Sequence, residues 1–323
     1  PTGGTLKNER TVSMKLTRGL LFTIAAAFAA TASAETLEIG ALPAADSAVL
    51  YVAEAEGLFQ KEGLDVKVVP FKSALEIGAA MRAGRLDGHF GDLMNVFTQN
   101  ETGIKQKVVL TTTHTHPEQR CFGMLVSPKV KKYETLGDLQ GTSTAMSSST
   151  IIDYLLDRMK ETESLPAGAV KNLEVKQIPI RLQMLQSGQV ETAMLPEPLV
   201  TLVEQKGGRV LWNDSKLDEA LAIVALKAAH TDEKTVASFR RAVAAAAKLM
   251  EEKPDTYRPL MVKKGLLPPP LANSYKMVRF SMFGTADGLP PLPTAEEVRR
   301  VGEWMVQKKM IKAVPAYEDV VAP

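Results

Sequence analysis

The feature that most constrains this chain is a strand–helix alternation that runs twice. The pattern gives a strand over 36–42, a helix over 47–56, a half-buried strand over 65–69, a helix over 73–83 and a short strand over 86–90. Polar–apolar alternation marks the strands, and apolar residues three and four apart mark the helices. Strands separated by helices of this length imply βαβ units on a mainly parallel sheet, the α/β class. The order then recurs: strand 142–146, helix 150–161, strand 173–178, helix 181–186 and strand 190–195. MRAGRLDGHFGD (81–92) and LQSGQVETAMLP (185–196) each carry a glycine, Gly84 and Gly188, at the helix-to-strand turn. Glycine suits the left-handed residue that stops a helix. Any such turn can look alike, but the matching order of elements favours two similar α/β lobes.

The last hundred residues read as largely helical. Val236, Phe239, Val243 and Met250 line one face of a long helix. Thr294 and Glu297 form a capping box ahead of a Val298, Val301, Met305 stripe.

A leader precedes the alternation. Basic residues at Lys15 and Arg18, an apolar run over 20–30 and Ala32-Ser33-Ala34 have the three parts of a secretory signal peptide. The run is shorter than the ~20 residues a membrane-spanning helix needs. Cleavage is expected before Glu35, with residues 1–13 ahead of Met14 as an upstream extension, so 1–34 stand apart from the folded chain. No cysteine follows the apolar run where a lipid anchor would attach, which points to a free periplasmic protein. Cys121 is the single cysteine, so no disulfide can form within the chain. The 39 Lys and Arg nearly balance 37 Asp and Glu, which gives no electrostatic case for nucleic acid or anionic membrane.

LEIGALPAADSAVLYVAEAEGLFQKEGLDVKVVPFKSALEIGAAMRAGRLDGHFGD, residues 37–92, resembles the opening of one family. That family is the periplasmic substrate-binding proteins of nitrate/sulfonate/taurine-type ABC importers, within the thiamine-pyrimidine-precursor-binding superfamily. The carrying pieces are AEAEGLFQKEGLDV (53–66), AGRLD (83–87), ETLGDLQGTSTAM (134–146), PEP (196–198) and the tail VGEWMVQKKMIK followed by AYEDVV. The resemblance implies a two-lobed periplasmic binding protein fold of type II, with two crossover strands as hinge and ligand in the interlobe cleft. Residues 35–122 and 226–323 would form lobe 1, and 123–225 lobe 2. It also implies a monomer that captures a small polar solute and hands it to an ABC permease and its ATPase.

Ligands of open α/β sheets sit at the carboxyl ends of the strands. In lobe 1 those ends deliver Asp46 and Ser47, then Asp92; in lobe 2 they deliver Ser147, Ser148, Ser149 and Thr150, then Glu197. Asp46 and Ser47 open a helix, where capping and ligand contact are compatible. Asp92 and Glu197 are either solvated loop carboxylates or, facing the cleft, acceptors for a solute with N–H donors or positive charge. Four hydroxyls at 147–150 exceed what one helix cap needs; Ser148 or Ser149 is the expected cap, leaving the others to donate to a ligand. His114, near the hinge, is a candidate ligand contact, while His114 and His116 lack partners for a metal site. Arg120 suits a surface salt bridge or a carboxylate clamp. Tyr51, Phe90 and Trp212 could stack on a flat ligand, although aromatics so placed are more often core.

No cofactor motif, phosphate loop, zinc motif or Ser/His/Asp set stands out, so a non-enzymatic binder is expected. The competing readings are an enzyme like the thiamine-pyrimidine synthases, whose Cys-rich motif a chain with one cysteine cannot match, and a sensory domain without transport.

Overall fold

The computed structural model describes residues 35–166, 168–283 and 285–323. The leader expected over 1–34 lies outside the described residues.

Two five-stranded sheets organise the chain. The first holds β1 (Thr36–Ala41), β2 (Asp65–Pro70), β3 (Gly88–Gly91), β4 (Gln106–His114) and β10 (Ala220–Lys227), in the order β2-β1-β3-β10-β4. The second holds β5 (Phe122–Val126), β6 (Thr142–Met146), β7 (Val170–Glu174), β8 (Thr192–Pro196) and β9 (Arg209–Asn213), in the order β7-β6-β8-β5-β9. The two sheets share one plan. Three parallel strands stand at one side, β2-β1-β3 and β7-β6-β8. The fourth strand, β10 or β5, arrives from the other half of the chain and runs antiparallel to both neighbours. This exchange makes the two-lobed α/β fold of type II.

The crossovers are residues 115–121 and 214–219, and they bond to each other. The Thr115 amide donates to the Glu219 carbonyl at 3.0 Å, and the Thr115 hydroxyl to the Leu217 carbonyl at 2.7 Å. Asp214 Oδ1 accepts from the amides of Cys121 and Phe122, each at 2.9 Å. The chain re-enters the first sheet at Ala220, ahead of the boundary expected at 226. The stretch ALAIVAL, Ala220 to Leu226, is apolar throughout because a central strand of such a sheet is covered on both faces, so no alternation marks its start. The strand expected over 173–178 lies at Val170–Glu174, where only Val170 is buried.

Local chemistry accounts for the helices that frame the cleft. After α1 (Ala48–Ala55) and the short α2 (Leu58–Lys61), α3 (Ala74–Arg82) is capped by Ser73, whose Oγ accepts from the Glu76 amide at 3.2 Å. Asp92 caps α4 (Leu93–Glu101), and Thr150 caps α5 (Ile151–Thr162). Proline sits in the first turn of α6 (Ile178–Ser187), where no amide is needed. Gly84 and Gly188 follow α3 and α6 with φ of 70° and 80°, a conformation that other residues adopt at a cost.

Beyond α7 (Leu199–Gln205), the long α8 (Glu233–Glu252) buries Val236, Phe239, Val243 and Met250 against the first sheet and α1. Each such side chain contributes about 1.5–3 kcal/mol of hydrophobic stabilisation. Past α9 (Pro254–Lys263), α10 (Ala295–Gln307) starts with the Thr294–Glu297 capping box and packs on α4 and α5. Its Trp304 meets Tyr154 of α5 edge-on, with ring centroids 5.2 Å apart. The short α11 (Tyr317–Val320) closes the chain beside β4.

Candidate functional site

A narrow cleft of about 50 Å³ lies between the carboxyl ends of both sheets. Lobe 1 lines it with Leu42, Ala44 and Asp46 after β1, and with Phe90, Gly91 and Asp92 at the end of β3. The second sheet and its helices supply Phe122, Ser147, Thr150, Ile151, Ile178, Arg181 and Pro196. Most of these groups are apolar, so the few polar ones define what can be held.

Arg181 is the most unusual of them. It is fully buried; its Nη1 donates to the Val175 carbonyl at 3.0 Å, while Nε and Nη2 have no partner among the described residues. Burial lowers its pKa to about 10, against the attraction of Glu174. A buried cation with free donors is expensive unless something completes it. Arg181 shares the inward stripe of α6 with Ile178 and Leu185. A charged residue on an apolar stripe is the sequence signal that marks it, and strand-end reasoning alone does not reach it.

Two carboxylates face the cleft from lobe 1. Asp46 Oδ2 accepts from the Thr113 hydroxyl at 2.9 Å, and burial pushes its pKa up to about 6. Asp92 Oδ1 accepts from the Asn95 amide at 2.9 Å, capping its own helix α4. Its Oδ2 reaches across the cleft to the Ile151 amide at 2.8 Å, the first residue of α5. Burial again raises this carboxyl to about 6, although the amides of Ile151 and Asn95 favour its charged form. One aspartate thus joins the N-termini of two helices from opposite lobes. Further cross-lobe bonds run from the Ala45 amide to the Glu197 carbonyl and from the Ile178 amide to the Lys72 carbonyl, each 3.2 Å.

The hydroxyls of 147–150 divide. Ser147 and Thr150 line the cleft, and Thr150, rather than Ser148 or Ser149, caps α5 by accepting from the Ile152 amide at 3.3 Å. Ser148 turns its amide and hydroxyl onto Glu174 of β7, and Ser149 takes a left-handed φ of 60° with its amide on Asp153. The other expected residues point elsewhere. The Ser47 hydroxyl donates to the carbonyls of Leu42 and Ala44, each at 2.9 Å, and only braces the loop. His114 Nε2 is 2.8 Å from Glu297 of α10. Burial works against its charge, yet Glu297 and Asp218 hold its pKa above the usual value. Glu197 lines a separate cavity beside the first crossover, bonded to Arg120 at 2.7 Å and to Thr201. That same pairing, with Glu204, makes Arg120 part of a salt-bridge network. Of the three aromatics, Phe90 alone lines the cleft; Tyr51 and Trp212 belong to the hydrophobic cores.

Comparison with known proteins fits this architecture. The model of the family described as NMT1/THI5 like matches residues 44–257, and the chain belongs to that family. No curated protein matches it. The periplasmic aliphatic sulphonate-binding protein SsuA from Escherichia coli superposes with a TM-score of 0.70 at 19% identity, covering 90% of this chain and 98% of that one. The alkanesulfonate-binding protein SsuA from Xanthomonas axonopodis pv. citri, bound to MOPS, gives 0.68 at 16%, covering 88% and 96%. The periplasmic nitrate-binding protein NrtA from Synechocystis PCC 6803 gives 0.57 at 15%, covering 72% and 66%. At these identities the likeness establishes the fold.

Proposed function

We propose that this chain is the periplasmic solute-binding component of an ABC importer. It captures a small polar organic solute between its lobes and presents the closed form to a membrane permease and its ATPase. The observation that carries this reading is Arg181, buried at the cleft with two nitrogens free. A bound solute that accepts from them relieves a cost the protein otherwise bears, and only the closed form brings that solute onto lobe 1 as well. The sulfonate- and nitrate-binding proteins of the same fold support the same role.

Binding is favoured over catalysis by the state of the single thiol. The one cysteine, Cys121, is buried, and burial and nearby carboxylates push its thiol well above the usual range, which makes it a poor nucleophile. A thermal-shift panel of nitrate, taurine, alkanesulfonates, pyrimidines, flavins and amino acids tests the reading. A solute at ~100 Kd adds about 2.7 kcal/mol, a shift of several degrees for a chain of this size. Turnover of a bound solute would instead favour a synthase-like enzyme, and silence across the panel would contradict solute capture.

A further inference from the structure

Resting on that reading, we propose that Asp92 sets the charge class of the solute. The cleft takes a net-neutral molecule, zwitterionic or uncharged, with donors toward Asp46 and acceptors toward Arg181, and it turns simple anions away. The starting point is the N-terminus of α5. A twelve-residue helix aimed into a cleft is ordinarily a place for an anion, because its first amides lack partners and its dipole is positive there. Here the chain fills the first two of those amides, of Ile151 and Ile152, and sets carboxylates on the loop amides of Ser148 and Ser149 ahead of the helix. Asp92 Oδ2 takes the Ile151 amide at 2.8 Å, Thr150 Oγ takes that of Ile152 at 3.3 Å, and Asp153 takes that of Ser149 at 2.9 Å. Glu174 takes the amide of Ser148 at 3.1 Å.

An incoming oxyanion therefore meets a carboxylate where it would need donors. It would have to expel a group bonded to two helices at once, or lie beside a like charge in a largely apolar cleft, where repulsion is strong. Arg181 remains as the donor for a solute acceptor, with Nε and Nη2 free. Asp46, on the opposite lobe, is held by Thr113 through one oxygen and lines the same cleft. Burial raises Asp46 and Asp92 only to about 6, so both are charged at neutral pH. A guanidinium from one lobe and a carboxylate from the other complement a dipolar solute. Such a solute spans both lobes, whereas an anion engages lobe 2 only, through Arg181 and the half-exposed Lys176 that Glu174 shares at 3.7 Å. Phe90, Phe122 and Leu221 provide apolar walls for its short carbon body or flat ring.

The test uses the full chain and solutes that differ by one ammonium: taurine against ethanesulfonate, and β-alanine against propionate, by titration calorimetry at pH 7.5. Wild type should bind the zwitterion of at least one pair 100-fold or more tighter than its anion. Asp92→Ser keeps a helix-capping side chain for α4 while removing the carboxylate. It should gain at least 10-fold for ethanesulfonate, and Asp92→Asn gives a second, nearly isosteric check. A wild type that binds ethanesulfonate as tightly as taurine, or variants that fold yet gain nothing for either anion, overturns the proposal. Those results leave solute capture standing. Failure of wild type and both variants to bind any of the four probes, together with silence across the wider panel, would sink the importer reading along with it.

Discussion

At the residue scale, Asp46 and Arg181 have the signature of groups kept for binding rather than for stability. Burial raises the Asp46 carboxyl from 3.8 to about 6. Between these values the folded state holds a proton that the unfolded chain has released. Stability from this group therefore falls as pH rises through about 4 to 6, and the cost is complete above 6. Asparagine can still accept from Thr113, so Asp46→Asn should be more stable than wild type at pH 7.5, by up to about 3 kcal/mol. The difference should vanish near pH 4, and urea melts at the two pH values measure it. A wild type that is the more stable at pH 7.5 would contradict the assignment. Arg181→Met removes a buried cation with unpaired nitrogens and keeps most of the volume. Its loss of one bond to the Val175 carbonyl costs about 1 kcal/mol, so its melting temperature should lie at or above the wild-type value. A fall of more than about 10 °C would mean that Arg181 is structural.

At the element scale, the loop before α5 separates a cap from its neighbours. Thr150→Ala should cost about 1 kcal/mol through the lost cap and bond to the Ser147 carbonyl. Ser149→Gly should be neutral or stabilising by up to about 1 kcal/mol, because Ser149 occupies the left-handed region. Thermal melts compare both with wild type. The same loop shows what could be read from sequence. The strands and the stripe Ile151, Ile152, Leu155, Leu156 and Met159 were legible because burial on one face leaves a period. So were the turns at Gly84 and Gly188, where conformation demands the residue type. Which hydroxyl caps α5 was not legible, since all four can accept a hydrogen bond and the choice depends on the path of the loop. Asp92 and Asp46 could be placed at strand ends, but their partners, Ile151 and Thr113, are 59 and 67 residues away in sequence. Arg181 is not legible as a site residue because the pattern starts its helix at 181, whereas the helix begins three residues earlier, at Ile178, and turns Arg181 inward.

At the scale of the whole molecule, the cleft is coupled to the hinge and to the C-terminal helix. Glu219, in the second crossover, is buried and accepts from Tyr154 and Arg158 of α5 and from Arg300 of α10. Breaking such a buried network leaves uncompensated charge, so Glu219→Ala should destabilise by about 3–5 kcal/mol in denaturant melts. A loss under 1 kcal/mol would show that α5 is held by apolar packing instead. α5 carries Thr150 and the Asp92 contact at its first turn, so this network anchors one wall of the cleft from behind. On the proposed function, a solute is held between the lobes on Arg181. The most direct measurement is a calorimetric titration of wild type and folded Arg181→Met with the solute that most raises the wild-type melting temperature. Saturable binding to wild type and at least 100-fold weaker binding to the variant are expected. Equal affinity for both proteins would contradict that reading.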